Sequence, residues 1–195
     1  MNKTSATFLM AALAILTLTA CGPRKSGSRP EAEEAPVETY FTAIDRYLAD
    51  SLGARYASGE ICVPFHSYSA VDETDADDIK VWGDFWVMNY SVSGDTLKMV
   101  SGGSHPGLMH VRQHPDGHFE VTSFDGVGDG SEYLPSARRI FGERFDAFQA
   151  AYSNEKAREK ARAEGLARYV HDNALSVTCY QDYGWPAVEL PPYEK

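Results

Sequence analysis

The sequence predicts an α+β fold: a long N-terminal helix packed on a curved antiparallel meander of four to five strands, followed by C-terminal helices. Three observations predict it. Val37, Phe41, Ile44, Leu48, Leu52 and Tyr56 recur at three- and four-residue steps, which is one apolar stripe of an amphipathic helix. Between residues 60 and 124, runs rich in β-branched and aromatic residues alternate with turn residues. Beyond residue 153 the chain turns to Ala, Glu, Lys and Arg, the composition of a solvated helix.

In the first helix Tyr40 and Tyr47 widen the stripe, Pro36 suits the start and Gly59 lies beyond the end. Residues 60–70 form the first strand, where Pro64 points to a sheet edge or a bulge. Residues 72–78, DETDADD, are an acidic loop. In the strand over 79–92, Trp82, Trp86, Met88, Tyr90 and Val92 share one pleat face. Gly94-Asp95 fits a two-residue hairpin turn that sets Val92 opposite Leu97 and Tyr90 opposite Met99, so the apolar faces agree. After Gly102-Gly103 a second hairpin spans 108–124 around Pro115-Asp116-Gly117. It sets His114 opposite His118, Arg112 opposite Glu120 and Val111 opposite Val121. Gly126, Gly128 and Gly130 end the sheet. A short helix over 136–141 is interrupted at Gly142 and resumes over 143–152. Ser153 or Asn154 caps a last helix reaching about residue 173, whose thin stripe of Ala157, Ala161, Leu166 and Val170 places it on the surface. The tail, with Cys179, Trp185 and three prolines, wraps back onto the body.

The N-terminus has another character. Lys3 precedes an apolar run over 6–18, and Leu18-Thr19-Ala20-Cys21 follows. The run is shorter than the roughly 20 residues a membrane span needs and has the layout of an export signal. Leu-Thr-Ala-Cys resembles the lipobox of bacterial lipoproteins. The resemblance implies cleavage before Cys21 and acylation of its thiol, with residues 1–20 as signal peptide. Two or more acyl chains give stable membrane attachment. Gly22, standing where an aspartate would favour inner-membrane retention in that family, points to the outer membrane. Residues 21–36 have no apolar side chain larger than alanine between Gly22 and Pro36, and read as a flexible tether. Residues 37–195 then suit one domain.

With Cys21 assigned to lipid, Cys62 and Cys179 remain. In an oxidising compartment they form a candidate disulfide, closing a loop that the chain-entropy model values at about 4.7 kcal/mol. Two separate buried thiols are the alternative.

The formal net charge is -10, which repels nucleic acid and anionic lipid, so neither is an expected partner. Segments AIDRYLADSLGARYASGE, IKVWGDFWVMNYSVSGDTLKMVSGGS and DGSEYLPSARRIFG are similar to a small extracytoplasmic module. It occurs at the C-terminal ends of membrane-embedded zinc peptidases related to the beta-lactam sensor family, and in stand-alone lipoproteins. The likeness spans roughly residues 40–169 and is marked by Asp129, Gly130, Ser131, Pro135 and Ser136 with the aromatic strand. It implies a sensory or accessory role outside the cytoplasm, and no catalysis, because the His-Glu-x-x-His zinc helix is missing from the chain.

Motifs for chemistry are weak. Ser153 to Lys156 matches Ser-x-x-Lys, but the Ser-Asp-Asn and Lys-Thr-Gly partners are not in the sequence. His105, His110, His114 and His118 read as hairpin histidines rather than a zinc set, so no metal and no cofactor is expected. Asp125, Asp129 and Glu132 lack calcium-loop spacing. The candidate binding groove is Trp82, Trp86 and Tyr90, with Gly103, Ser104 and His105 as its rim.

The expected role is a non-catalytic binding, sensory or accessory lipoprotein of the envelope, with an envelope protein or a small apolar ligand as partner. A hydrolase using a histidine of the 105–118 hairpin is one alternative, and a structural envelope subunit is another. The layout is similar to cystatin-like or nuclear-transport-factor-like rolls, an analogy of shape only.

Overall fold

A computed structural model describes residues 38–193. Cys21, the signal segment and the tether lie outside the described residues. Among the described residues no helix is long and apolar enough to cross a membrane.

The described chain opens with α1 (Tyr40–Tyr47), capped by Thr39, whose side-chain oxygen accepts from the Thr42 backbone N–H. The stripe read from the sequence does not make one regular helix. After α1 the chain widens into a π turn over Leu48–Leu52 and tightens into a 3-10 turn over Gly53–Arg55. Ile44, Leu48 and Leu52 stay buried on one side throughout, so the stripe keeps its partner while the winding changes.

Four strands follow: β1 (Ile61–Asp72), β2 (Ile79–Ser93), β3 (Thr96–Gln113) and β4 (Phe119–Gly126). Then come α2 (Tyr133–Phe141), α3 (Phe145–Tyr152), α4 (Glu155–Asp172) and the short strands β5 (Cys179–Gln181) and β6 (Val188–Glu189). The six-stranded sheet runs β1-β2-β3-β5-β6, and β4 also pairs β3. Both predicted hairpin registers are present. Val92 faces Leu97, Tyr90 faces Met99, Val111 faces Val121, and Arg112 faces Glu120. The His114 and His118 rings stack at 4.0 Å.

Two expectations need correction. The sheet is mixed rather than purely antiparallel, because the tail adds β5 parallel to β3 at Thr96, Leu97 and Lys98. Gly102-Gly103 does not end a strand; β3 runs unbroken for 18 residues and absorbs the irregularity as a bulge around Val100. The last helix lies on the surface with one face docked. Leu166, Ala167 and Val170 are buried, and the buried Arg162 is held by Asp182 and Glu159. Asn154, not Ser153, caps α4 by accepting from the Ala157 N–H.

Strand β2 is covered on both faces, which explains its continuous aromatic and aliphatic run. Ile79, Val81, Phe85 and Val87 point toward α1 and the turns after it. Trp82 points toward α2 and α3, and Met88 and Tyr90 toward α4 and the tail. Among the described residues β1 pairs only with β2 and so forms an edge, the place where Pro64 removes a ladder donor at least cost.

Candidate functional site

The predicted groove residues do not line one surface. Trp82 is buried, donates its Nε1–H to the Ile140 carbonyl at 3.0 Å and carries the Arg144 guanidinium over its ring. Tyr90 is fully buried in the core beneath α4 and the tail. Gly103 lies directly under the Tyr56 hydroxyl. His105, half-buried, bonds that same hydroxyl at 3.0 Å, and its burial holds the imidazole below its ordinary value against the pull of Asp84. Trp82 and Tyr90 serve packing, while His105 and Ser104 line a separate cavity of about 240 Å³ with Tyr56 and Tyr133.

Trp86 and Ser104 do come together, cross-strand partners at a charged node that sequence reasoning missed. Asp84, buried on β2, accepts from the Ser104 hydroxyl, from Trp86 Nε1 at 2.8 Å and from Arg158 Nε and Nη2 at 3.2 and 3.0 Å. Arg158 also donates to Ser104 at 2.9 Å and lies between the Trp86 and Tyr152 rings, 4.7 and 4.2 Å from their centroids. Every polar group of the node has a partner, which fixes its geometry. No imidazole joins it to act as a base for Ser104.

That node bounds a cavity of about 270 Å³, lined also by Phe65, Tyr68, Phe148, Tyr152 and Ala161. A larger cavity of about 720 Å³ abuts it along Phe65, Ser67, Tyr68 and Ala161, and continues to Arg168 and Pro191, Pro192 and Tyr193 of the tail. Together they form a trough at the edge made by β1, roofed by α4. Phe65 enters it from the face that stacks on Trp86, at 5.2 Å; His66 and Tyr68 enter from the face covered by Phe41, at 5.0 and 4.8 Å. Gly165 lets α4 approach Phe65 closely at the middle of the trough.

The larger cavity has an unusual wall. His66 is 7% exposed, and its Nε2 lies 3.5 Å from Asp45 Oδ1 across the α1–β1 contact. His66 Nδ1 and Asp45 Oδ1 are both enclosed with no hydrogen-bond partner. Burial pushes the Asp45 carboxyl up to about 6, against the opposing effect of Arg168. Burial pushes the His66 imidazole down to about 4, with Arg168 acting the same way. Sequence spacing gives no hint of this pair, because its members stand on different elements.

The other histidines are separately engaged. His110 bonds Asp78 at 2.6 Å, His114 bonds Glu120 at 3.0 Å, and His118 bonds Asp116. Among the described residues no group of three histidine, cysteine or carboxylate side chains is placed to share a metal ion. Ser153 accepts from Gln149, not from Lys156.

The expected Cys62–Cys179 bond is not formed; both thiols are free. Cys62 lies on β1 and Cys179 on β5, with β2 and β3 between them. Three strand spacings of roughly 4.8 Å separate their strands by about 14 Å, and Cys62 stands level with Ser101 of β3 while Cys179 stands level with Thr96, so their separation exceeds the reach of a disulfide. Burial, then the nearby Asp50, raises the Cys62 thiol above its ordinary value. No family model, curated protein or solved structure matches this chain.

Proposed function

We propose that this chain is a non-catalytic binding module of the bacterial envelope, held to the membrane by lipid on Cys21, that takes a small, largely apolar ligand in the trough beside β1. The observation that carries the reading is the trough itself. Two abutting cavities of about 720 and 270 Å³ are walled by Phe65, Tyr68, Trp86, Phe148 and Tyr152, within the size range and character of small-molecule sites. The charged groups of the smaller cavity, Asp84 and Arg158, are paired with each other, which supports a binding role over a hydrolytic one. A sheet backed by helices on both faces also supports the roll-like layout and the sensory or accessory role read from the sequence.

Two substitutions test this. Cys21→Ser in the full chain is expected to move the protein from the membrane fraction to the soluble fraction; a variant that still pellets with membranes contradicts the anchor. Ala161 lines both cavities, so Ala161→Trp fills the trough from α4. It is expected to cut the fluorescence enhancement of bound anilinonaphthalenesulfonate at least tenfold while the circular dichroism spectrum stays unchanged. Undiminished dye binding by the folded variant contradicts the site.

A further inference from the structure

We infer that the cavity beside His105, where β3, β4 and the start of α2 meet, is a second binding site, and that it takes one ring of a neutral sugar. It is separate from the trough and does not depend on what the trough holds.

Size comes first. The cavity measures about 240 Å³, below the roughly 300 Å³ at which sites for drug-sized molecules begin. That sets its occupant at about one small ring. The walls alternate aromatic faces with polar groups: Tyr56, Phe124, Tyr133 and Tyr152 supply the rings, and His105 and Asp129 stand among them.

Part of this polar lining is uncommitted and reachable. Among the described residues His105 bonds only through Nε2, to the Tyr56 hydroxyl, and its Nδ1 has no partner. The Tyr152 hydroxyl has none either, and neither atom is sealed from solvent. Asp129 is exposed, and its side chain caps nothing in the turn it begins. An imidazole, a phenol and a carboxylate together offer both donors and acceptors. Sugar hydroxyls, which donate and accept at once, satisfy such a mixture.

Charge argues against an ion. Asp84, behind Ser104, is paired with Arg158. Burial, the largest influence on His105, holds it below its ordinary value; Asp84 and Asp129 pull it up, and Arg55 pushes it down. The ring therefore stays neutral, and the opposite charges around it leave no single-sign field to attract an ion.

The walls are also fixed before anything arrives. The Val127 N–H donates to the Pro106 carbonyl and the Gly128 N–H to the Ser136 hydroxyl, both at 2.8 Å, so the 126–129 loop is tied to β3 and to α2. Tyr133 donates its hydroxyl hydrogen to Gln149 at 3.0 Å. Phe124 meets the core ring of Phe85 edge-on, and Tyr152 packs on Phe148. Rings held in place lower the ordering cost of binding. Their negative faces suit the polarised C–H bonds on the flat side of a sugar ring.

The test titrates the full chain with glucose, galactose, mannose and N-acetylglucosamine and follows backbone amide chemical shifts. Cyclohexanol, tetramethylammonium and inorganic phosphate serve as apolar, cationic and anionic controls of similar size. At least one sugar is expected to give saturable shifts at Tyr56, His105 and Gly126 through Asp129, and the controls none there. Tyr152→Phe and Asp129→Ala each remove a polar group that holds no other side chain of the cavity, so both are expected to fold unchanged and to lose at least fivefold in affinity for that sugar. Ala161→Trp, which fills the trough, is expected to bind it like the wild type. No sugar reaching these amides, or both cavity variants binding undiminished, overturns the site. A control that binds there as tightly as the sugars overturns the ligand class.

Discussion

Arg158→Met is expected to lower the free energy of unfolding by about 3 kcal/mol, the cost of leaving a buried carboxylate without its cation. Asp84 is 10% exposed in its side chain and Arg158 23%, so solvent screens little of the interaction. Methionine keeps the volume against Trp86 and Tyr152 but removes both charge-assisted bonds to Asp84. Trp86 Nε1–H and the Ser104 hydroxyl remain as donors to the carboxylate, which keeps the loss near the lower end of the range. The double variant Asp84→Asn, Arg158→Met is expected to regain much of it, because no charge is then stranded. Denaturant titrations of the wild type, both single variants and the double variant measure the coupling. Additive losses would show that the node is not a unit.

Gly102→Val is expected to abolish folding, or to cost more than about 4 kcal/mol, the range that marks a backbone or packing violation. Gly102 has φ +143, and a Cβ there would lie 2.3 Å from the Val87 carbonyl oxygen and 2.8 Å from the Met88 Cα. Both obstacles are backbone of the central strand β2, so neither can yield without opening the ladder. Gly94 supplies the contrast. It also has a positive φ, of +63, but nothing lies within 4 Å of the point a Cβ would occupy, so Gly94→Ala is expected to cost only about 1–2 kcal/mol. Thermal unfolding of the two variants side by side separates collision from backbone preference. Equal losses would contradict the close β2–β3 approach at Gly102.

The hairpins were legible because two signals agreed locally. Gly94-Asp95 and Pro115-Asp116-Gly117 name their turns, and apolar alternation on either side permits only one register. The capping of α4 and the interruption at Gly142 were legible for the same reason. What failed was whatever depended on contact between distant segments. Gly102-Gly103 reads as a break until β2 and Tyr56 are seen to crowd it. The tail gives no sign that Cys179 to Gln181 will extend β3 in parallel. The regular stripe from Val37 to Tyr56 does not disclose that the winding changes after Tyr47.

The candidate site was legible only in part. Trp86 and Ser104 were read from the aromatic strand and the glycine-rich segment, and they do meet. Trp82 and Tyr90 were read from the same pleat face, but α2, α3, α4 and the tail bury them. Asp84 had one local signal, a carboxylate inside an otherwise apolar strand, and that is the mark of a buried partnered charge. Arg158 and Arg168 are hidden among many charges on α4, and Asp45 and His66 are ordinary in sequence. Only the approach of α1, β1 and α4 makes them a wall.

The place where a small apolar ligand binds is decisive, and backbone amide chemical-shift mapping with 1-octanol measures it directly. Shifts confined to Phe65 through Tyr68, Ala161 through Arg168 and the tail near Tyr193 are the predicted result. Saturating shifts that fall on the His114–His118 turn, or none anywhere on the folded chain, would contradict it.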